Sequence, residues 1–214
     1  MRDDPTEPGP ERADAGAART EAHLRALCAH WRARRRGDDV PMRADIDPRA
    51  IEPLISSAFV AERIAPGVAR LRVAGAHLSD LMGMEVRGMP LATFIEPRDR
   101  DGFAMRVVDL FDGPAILRLA LRGRRGLGRP ALGGTLMLLP LRSDLGDISR
   151  ALGCLVTDGP AGRAPRRFAV TGAETLPLSG ATPRAGAPAL RPVAGGRATG
   201  PSGRRERSHL RLVT

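Results

Sequence analysis

Apolar positions along this chain follow two periods, helical and strand-like, and their order outlines a domain. Leu24, Leu27, Cys28 and Trp31 recur at i, i+3, i+4 and i+7, the single stripe of an amphipathic helix. Thr20 suits its N-cap, Arg32, Arg34, Arg35 and Arg36 suit the negative end of its dipole, and Gly37 suits its stop. The helix is therefore expected over residues 20–37. Asp47-Pro48 opens a second, short helix to about Ile55, with the acid as cap and proline at the first position. Ala58 to Ile64 then reads as a strand, Pro66-Gly67 as a turn, and Ala69 to Val73 as the returning strand of a hairpin. In that returning strand Leu71 and Val73 are expected inward, Arg70 and Arg72 outward.

Short helical pieces broken at Gly83 and Gly88 follow between His77 and Glu96. From Pro97 a longer helix runs to Asp112, with Phe103, Val107, Leu110 and Phe111 at helical spacing and Gly113 as its stop. Three strands complete the pattern: Ala115 to Arg122, Thr135 to Arg142 after a Gly-rich connection, and Ala151 to Thr157. Ala115, Leu117, Leu119 and Leu121 share one face of the first. Pro140 has no N–H to give a ladder and predicts an edge position or a bulge. The expected fold is α+β: a five-stranded antiparallel sheet with helices on one face, preceded by the amphipathic N-terminal helix.

Composition sets the ends of this domain. Residues 1–19 lack apolar periodicity and are expected to be disordered. After Asp158, 16 of the last 56 residues are Gly or Pro. A flexible tail is therefore expected over 159–214, Arg166 to Val170 excepted, with the domain itself over 38–158. Charge follows the same division. Ten Arg face only Glu174 and Glu206 in the tail, leaving +8 of the chain's net +10 there. Every basic residue is Arg. A tail of dispersed Arg suits weak electrostatic contact with nucleic acid or another anionic surface, although Phe168 is its only aromatic for stacking on bases.

Candidate chemistry is sparse. The two cysteines, Cys28 and Cys154, do not form a disulfide framework, and Cys154 reads as a small buried hydrophobe. No stretch approaches the roughly 18 apolar residues of a membrane span. The N-terminus lacks the apolar core of a secretory signal, so a cytoplasmic location is expected. Gly123-Arg124-Arg125-Gly126-Leu127-Gly128-Arg129 has neither dinucleotide nor P-loop spacing, and no helix follows it. It reads as a solvated hairpin connection whose three Arg remain available to an anionic partner. His23 and His30 stand about 10 Å apart along one helix, too far to share an ion, so no metal site is expected. Asp45 and Asp47 read as a turn and a cap. His77 reads as an exposed or capping residue before it reads as a ligand or pH switch. No nucleophile–base or paired-carboxylate constellation is visible, and the chain is not expected to be an enzyme.

The order of two strands, a helical cluster and three strands resembles the PAS fold. Trp31 with Arg34-Arg35-Arg36-Gly37, and Pro41-Met42-Arg43-Ala44-Asp45-Ile46-Asp47-Pro48, resemble the opening of an alphaproteobacterial PAS family of the PAS_5 type. Leu71-Arg72-Val73-Ala74-Gly75, Gly83-Met84-Glu85-Val86-Arg87-Gly88 and Ala164-Pro165-Arg166-Arg167-Phe168 extend the likeness to residues 21–170. The resemblance implies an apolar pocket between sheet and helices, for which Phe94, Phe103, Val107, Leu119 and Leu138 are the candidates, either lining it or filling the core. Heme-binding relatives take an axial His from the long helix, and residues 97–112 contain none. Flavin photosensors present a Cys in the preceding helix, and Leu91 to Glu96 has none. No cofactor is therefore expected, and a small apolar ligand remains open.

The implied function is a single-domain cytoplasmic sensory or regulatory module with no attached output domain, acting through protein–protein contacts. A homodimer or a protein partner is expected. Leu24, Leu27 and Trp31 are the candidate anchors on the N-terminal helix. The alternative is a protein associated with nucleic acid or an anionic surface through its Arg-rich tail.

Overall fold

The structure is a computed structural model and describes residues 10–178. Thirteen elements follow one another, of which six are strands of one antiparallel sheet. Helix α1 spans Pro10–Ala33. After short 3-10 turns at Arg43–Asp45 and Pro48–Leu54 come strands β1 (Ala58–Ala65) and β2 (Val68–Ala74). Helix α2 (Ala76–Met82), two further 3-10 turns (Leu91–Phe94 and Pro97–Asp99) and helix α3 (Arg100–Asp112) form the helical run. Strands β3 (Ala115–Gly123), β4 (Leu132–Arg142), β5 (Ile148–Thr157) and β6 (Phe168–Pro177) follow, the last elements among the described residues. Across the sheet the order is β2-β1-β5-β4-β3-β6.

Three expectations about the elements change here. The sheet has six strands, not five. Apart from its first three residues, which fall in the excepted Arg166 to Val170, the sixth lies inside the stretch expected to be a flexible tail, and it pairs with β3 from Gly123↔Phe168 to Ala115↔Pro177. Only Phe168 of β6 is fully buried, so no apolar alternation announces the strand; backbone pairing with an open sheet edge makes it. Residues 10–19, expected to be disordered, form the first turns of α1. Pro10 is tolerated in a first turn, and Glu11, Asp14 and four Ala between 13 and 18 favour helix there. The remaining residues of the expected disordered ends, 1–9 and 179–214, lie outside the described residues, and with them most of the Arg-rich tail.

Helices cover both faces of the sheet, where one was expected. Opposed pairs place Arg118, Met137, Cys154 and Ala58 on one face, called outer below, and Leu119, Leu136, Phe59 and Gly153 on the other. Glu21 of α1 is ion-paired with Arg118 on the outer face. Asp112 of α3 is ion-paired with Arg63, on the inner face with Phe59 and Ala61. Strand β4 shows the consequence: Leu136 to Arg142 are all buried, odd and even positions alike. Such a double-sided burial reads in sequence as a continuous apolar run.

Pro140 obeys its constraint by position. It lies beyond Leu117↔Leu138, the last β3–β4 pair, where its missing N–H costs no ladder bond. A bulge follows between Leu141 and Arg142.

Candidate functional site

Leu24, Leu27 and Trp31 are at most 1% exposed. The stripe of α1 is spent on the chain's own core, against the Pro48–Leu54 turn and β4, and the Trp31 indole N–H donates to the Pro140 carbonyl at 2.9 Å. These residues are not available as partner anchors in the folded chain, which corrects that assignment. An amphipathic helix whose one apolar stripe is buried against its own domain has no second stripe to offer.

Phe94, Phe103, Val107, Leu119 and Leu138 are likewise at most 2% exposed and belong to one continuous core. The cavities described below are lined by none of them. Phe59 accounts for part of the filling. It projects from the inner face directly over Gly153, its cross-strand partner, and a Cβ at 153 would fall 2.1–2.7 Å from three ring atoms. The glycine is there because the ring occupies the space of any side chain.

On the outer face a groove of about 360 Å³ lies between the 43–55 segment and strands β1, β2, β4 and β5. Ile46, Ile51, Val60, Leu141 and Leu152 line it, Arg43 adds a charge, and Ile55 and Val73 stand beside the opening at 52% and 54% exposure. Val73 was expected inward by strict alternation with Leu71. The β1–β2 register shifts between Val60↔Val73 and Ala61↔Leu71, which leaves Arg72 as an extra residue and turns Val73 to the outer face. One bulged residue reverses the facing of everything after it. Pattern alone could not reveal it, since nothing in Leu71-Arg72-Val73 marks a bulge.

The titratable groups argue for a quiet site. Cys154 lies on the outer face between Ala58 and Met137, and burial pushes its thiol up to about 12, so it is not a nucleophile near neutral pH. Among the described residues no cluster of His, Cys, Asp or Glu could hold a metal ion. His77, the second residue of α2, bridges to β5 through Nε2 and the Thr157 hydroxyl at 3.0 Å. Desolvation lowers its pKa below 6.5, against a smaller opposing effect of Asp80. The folded state thus binds this proton less readily than the unfolded state, so stability is full above pH 6.5 and declines as pH falls through the folded pKa. Melting temperature should fall over that acid window, and His77→Gln should flatten this part of the profile. An unchanged slope in the variant would assign the effect to other groups.

A sheet preceded by a docked helix, with two strands, a helical run and four strands in order, defines a sensor domain of the PAS class. The family model of the PAS domain (PAS_5) matches residues 19–156, more than half of the chain, and the protein belongs to that family. Domains of this family are generally sensory or regulatory modules without catalytic activity. No curated protein matches the chain. Among the described residues no helix is long and apolar enough to cross a membrane.

Proposed function

We propose that this PAS domain is a regulatory module that works by protein contact, through the apolar groove on its outer face, with a second copy of the chain as its partner. The observation that carries the reading is the groove itself. It combines a hole with two protruding apolar side chains, Ile55 and Val73, at its rim. A patch that supplies both knob and hole can pair with its own copy about a two-fold axis. Dense packing of Phe94, Phe103, Val107, Leu119 and Leu138 supports signalling by surface contact over an internal cofactor. Val73→Asp should weaken self-association at least about tenfold, because it places a charge in the contact. Light scattering should show a dimer for the native chain and a monomer for Val73→Asp, with unchanged circular dichroism. A variant that remains dimeric, or a native chain that is monomeric, removes the homotypic reading.

A small apolar ligand in the same groove is the second reading. Its volume of about 360 Å³ falls within the roughly 300–1,000 Å³ of small-molecule sites. Native mass spectrometry of the purified chain reads a retained ligand and the oligomeric state together. The nucleic-acid reading rests mostly on residues outside those described and gains nothing from the groove.

A further inference from the structure

A second site lies at the opposite side of the sheet, where the β3–β4 connection meets the segment before β6. Glu96, Arg124, Arg129, Arg166 and Arg167 line a cavity of about 230 Å³ there. Four arginines against one carboxylate leave three positive charges at the lining.

Two of the arginines are committed to the architecture. Arg166 is 1% exposed and donates to the carbonyls of Ala161 at 2.9 Å, Pro130 at 2.8 Å and Arg124 at 3.4 Å, which ties the connection to the 161–167 segment. Gly123 makes room for it, since a Cβ there would lie 2.8 Å from Arg166 Nη2. Arg129 donates to the Arg163 and Ala164 carbonyls. The other two retain free donors. Arg124 is 83% exposed at its side chain and reaches Glu96 only with Nε at 3.9 Å from Oε1. Arg167 is exposed and makes no hydrogen bond or ion pair within the described residues.

Glu96 is the informative member. It is 7% exposed, and its backbone N–H is fixed on the Phe168 carbonyl at 2.9 Å. Arg98 Nε lies 3.2 Å from Oε2, yet buried Oε1 accepts no hydrogen bond. A buried acceptor of this kind is costly unless something supplies a donor. The same cavity therefore asks for negative charge from its arginines and for an O–H or N–H donor from its carboxylate. A plain carboxylate or sulfate answers the first demand and clashes with the second. A cation answers the second and meets the arginines.

We propose that this cavity binds a phosphate group that keeps a proton, as inorganic phosphate or a phosphomonoester monoanion. The P–O–H donates to Glu96 Oε1, and Arg124 and Arg167 donate to the remaining oxygens, the charge-assisted pairing for which arginine is suited. The site is separate from the outer-face groove and stands or falls independently of it.

Calorimetric titration of the full chain with inorganic phosphate and with sulfate, at low ionic strength and mildly acidic pH, tests the assignment. Phosphate should bind more tightly than sulfate by at least about tenfold, the worth of one hydrogen bond to a charged group. Glu96→Gln should erase that preference, because an amide can donate to either anion. Arg167→Gln should weaken phosphate several-fold without altering the fold, since the side chain is exposed. Equal affinity for the two anions, a preference that survives Glu96→Gln, or phosphate binding indifferent to Arg167→Gln would overturn the site. The last measurement holds even where Glu96→Gln does not fold. Glycerol phosphate and vesicles containing phosphatidic acid then distinguish a soluble phosphomonoester from a lipid headgroup. Binding of either one retains the site and names its source.

Discussion

Gly153→Ala should cost the domain about 3 kcal/mol or prevent its folding, the upper end of overpacking penalties. The added methyl would lie 2.1–2.7 Å from the Phe59 ring, well inside contact distance. Neither partner can yield easily, because Phe59 is 1% exposed and both residues sit in paired central strands. Phe59→Ala alone should cost about 3–5 kcal/mol by leaving a cavity. Combined, the two changes should cost clearly less than their sum, since each relieves the clash or void created by the other. Urea unfolding of the three variants measures this coupling. A Gly153→Ala chain within about 0.5 kcal/mol of native stability, the range of neutral surface changes, would mean that the ring does not occupy that space.

Trp31→Ala should be the second severe change, at about 3–5 kcal/mol. Trp31 is fully buried, donates to the Pro140 carbonyl, and has the Arg35 guanidinium 5.7 Å from its ring centroid. Trp31→Phe separates packing from hydrogen bonding. It keeps most of the apolar contact but leaves the Pro140 carbonyl without its donor, for about 1–3 kcal/mol. Pairing Leu24→Asp with Leu27→Asp should likewise unfold the chain and not merely separate a dimer, because both side chains are buried within one copy. Light scattering beside denaturant unfolding distinguishes the two results. A folded, monomeric double variant would return these leucines to an interface role.

The stripe of Leu24, Leu27 and Trp31 identifies the helix from spacing alone, since a 3.6-residue period leaves only one way to align those side chains. It does not say what the stripe covers. An apolar stripe meets its own sheet or a second copy's with the same chemistry, and only the position of the outer face decides. The inner-face residues of β3 were legible for the same reason. Leu117, Leu119 and Leu121 alternate with exposed or half-exposed Arg118, Ala120 and Arg122.

The candidate sites were the least legible part. The groove depends on Val73 facing outward, and that depends on a bulge at Arg72 set by pairing with β1. The arginine-lined cavity joins Glu96, Arg124 and Arg167, which are distant in sequence and brought together when β6 docks on β3. The Gly-Arg connection was visible as a cluster of donors, but its buried carboxylate was not.

What the sequence determined by itself was local: helix and strand periods, turn and cap residues, the order of elements, and through that order the PAS family. These follow from backbone geometry and the burial of apolar side chains, whose causes lie within a few residues. Tertiary structure alone decided the sixth strand, the covering of both sheet faces, the outward turn of Val73 and the meeting of Glu96 with the arginines. Each of those depends on which backbone lies beside which, and hydrogen-bond pairing between distant strands leaves no mark in the side-chain pattern of either one.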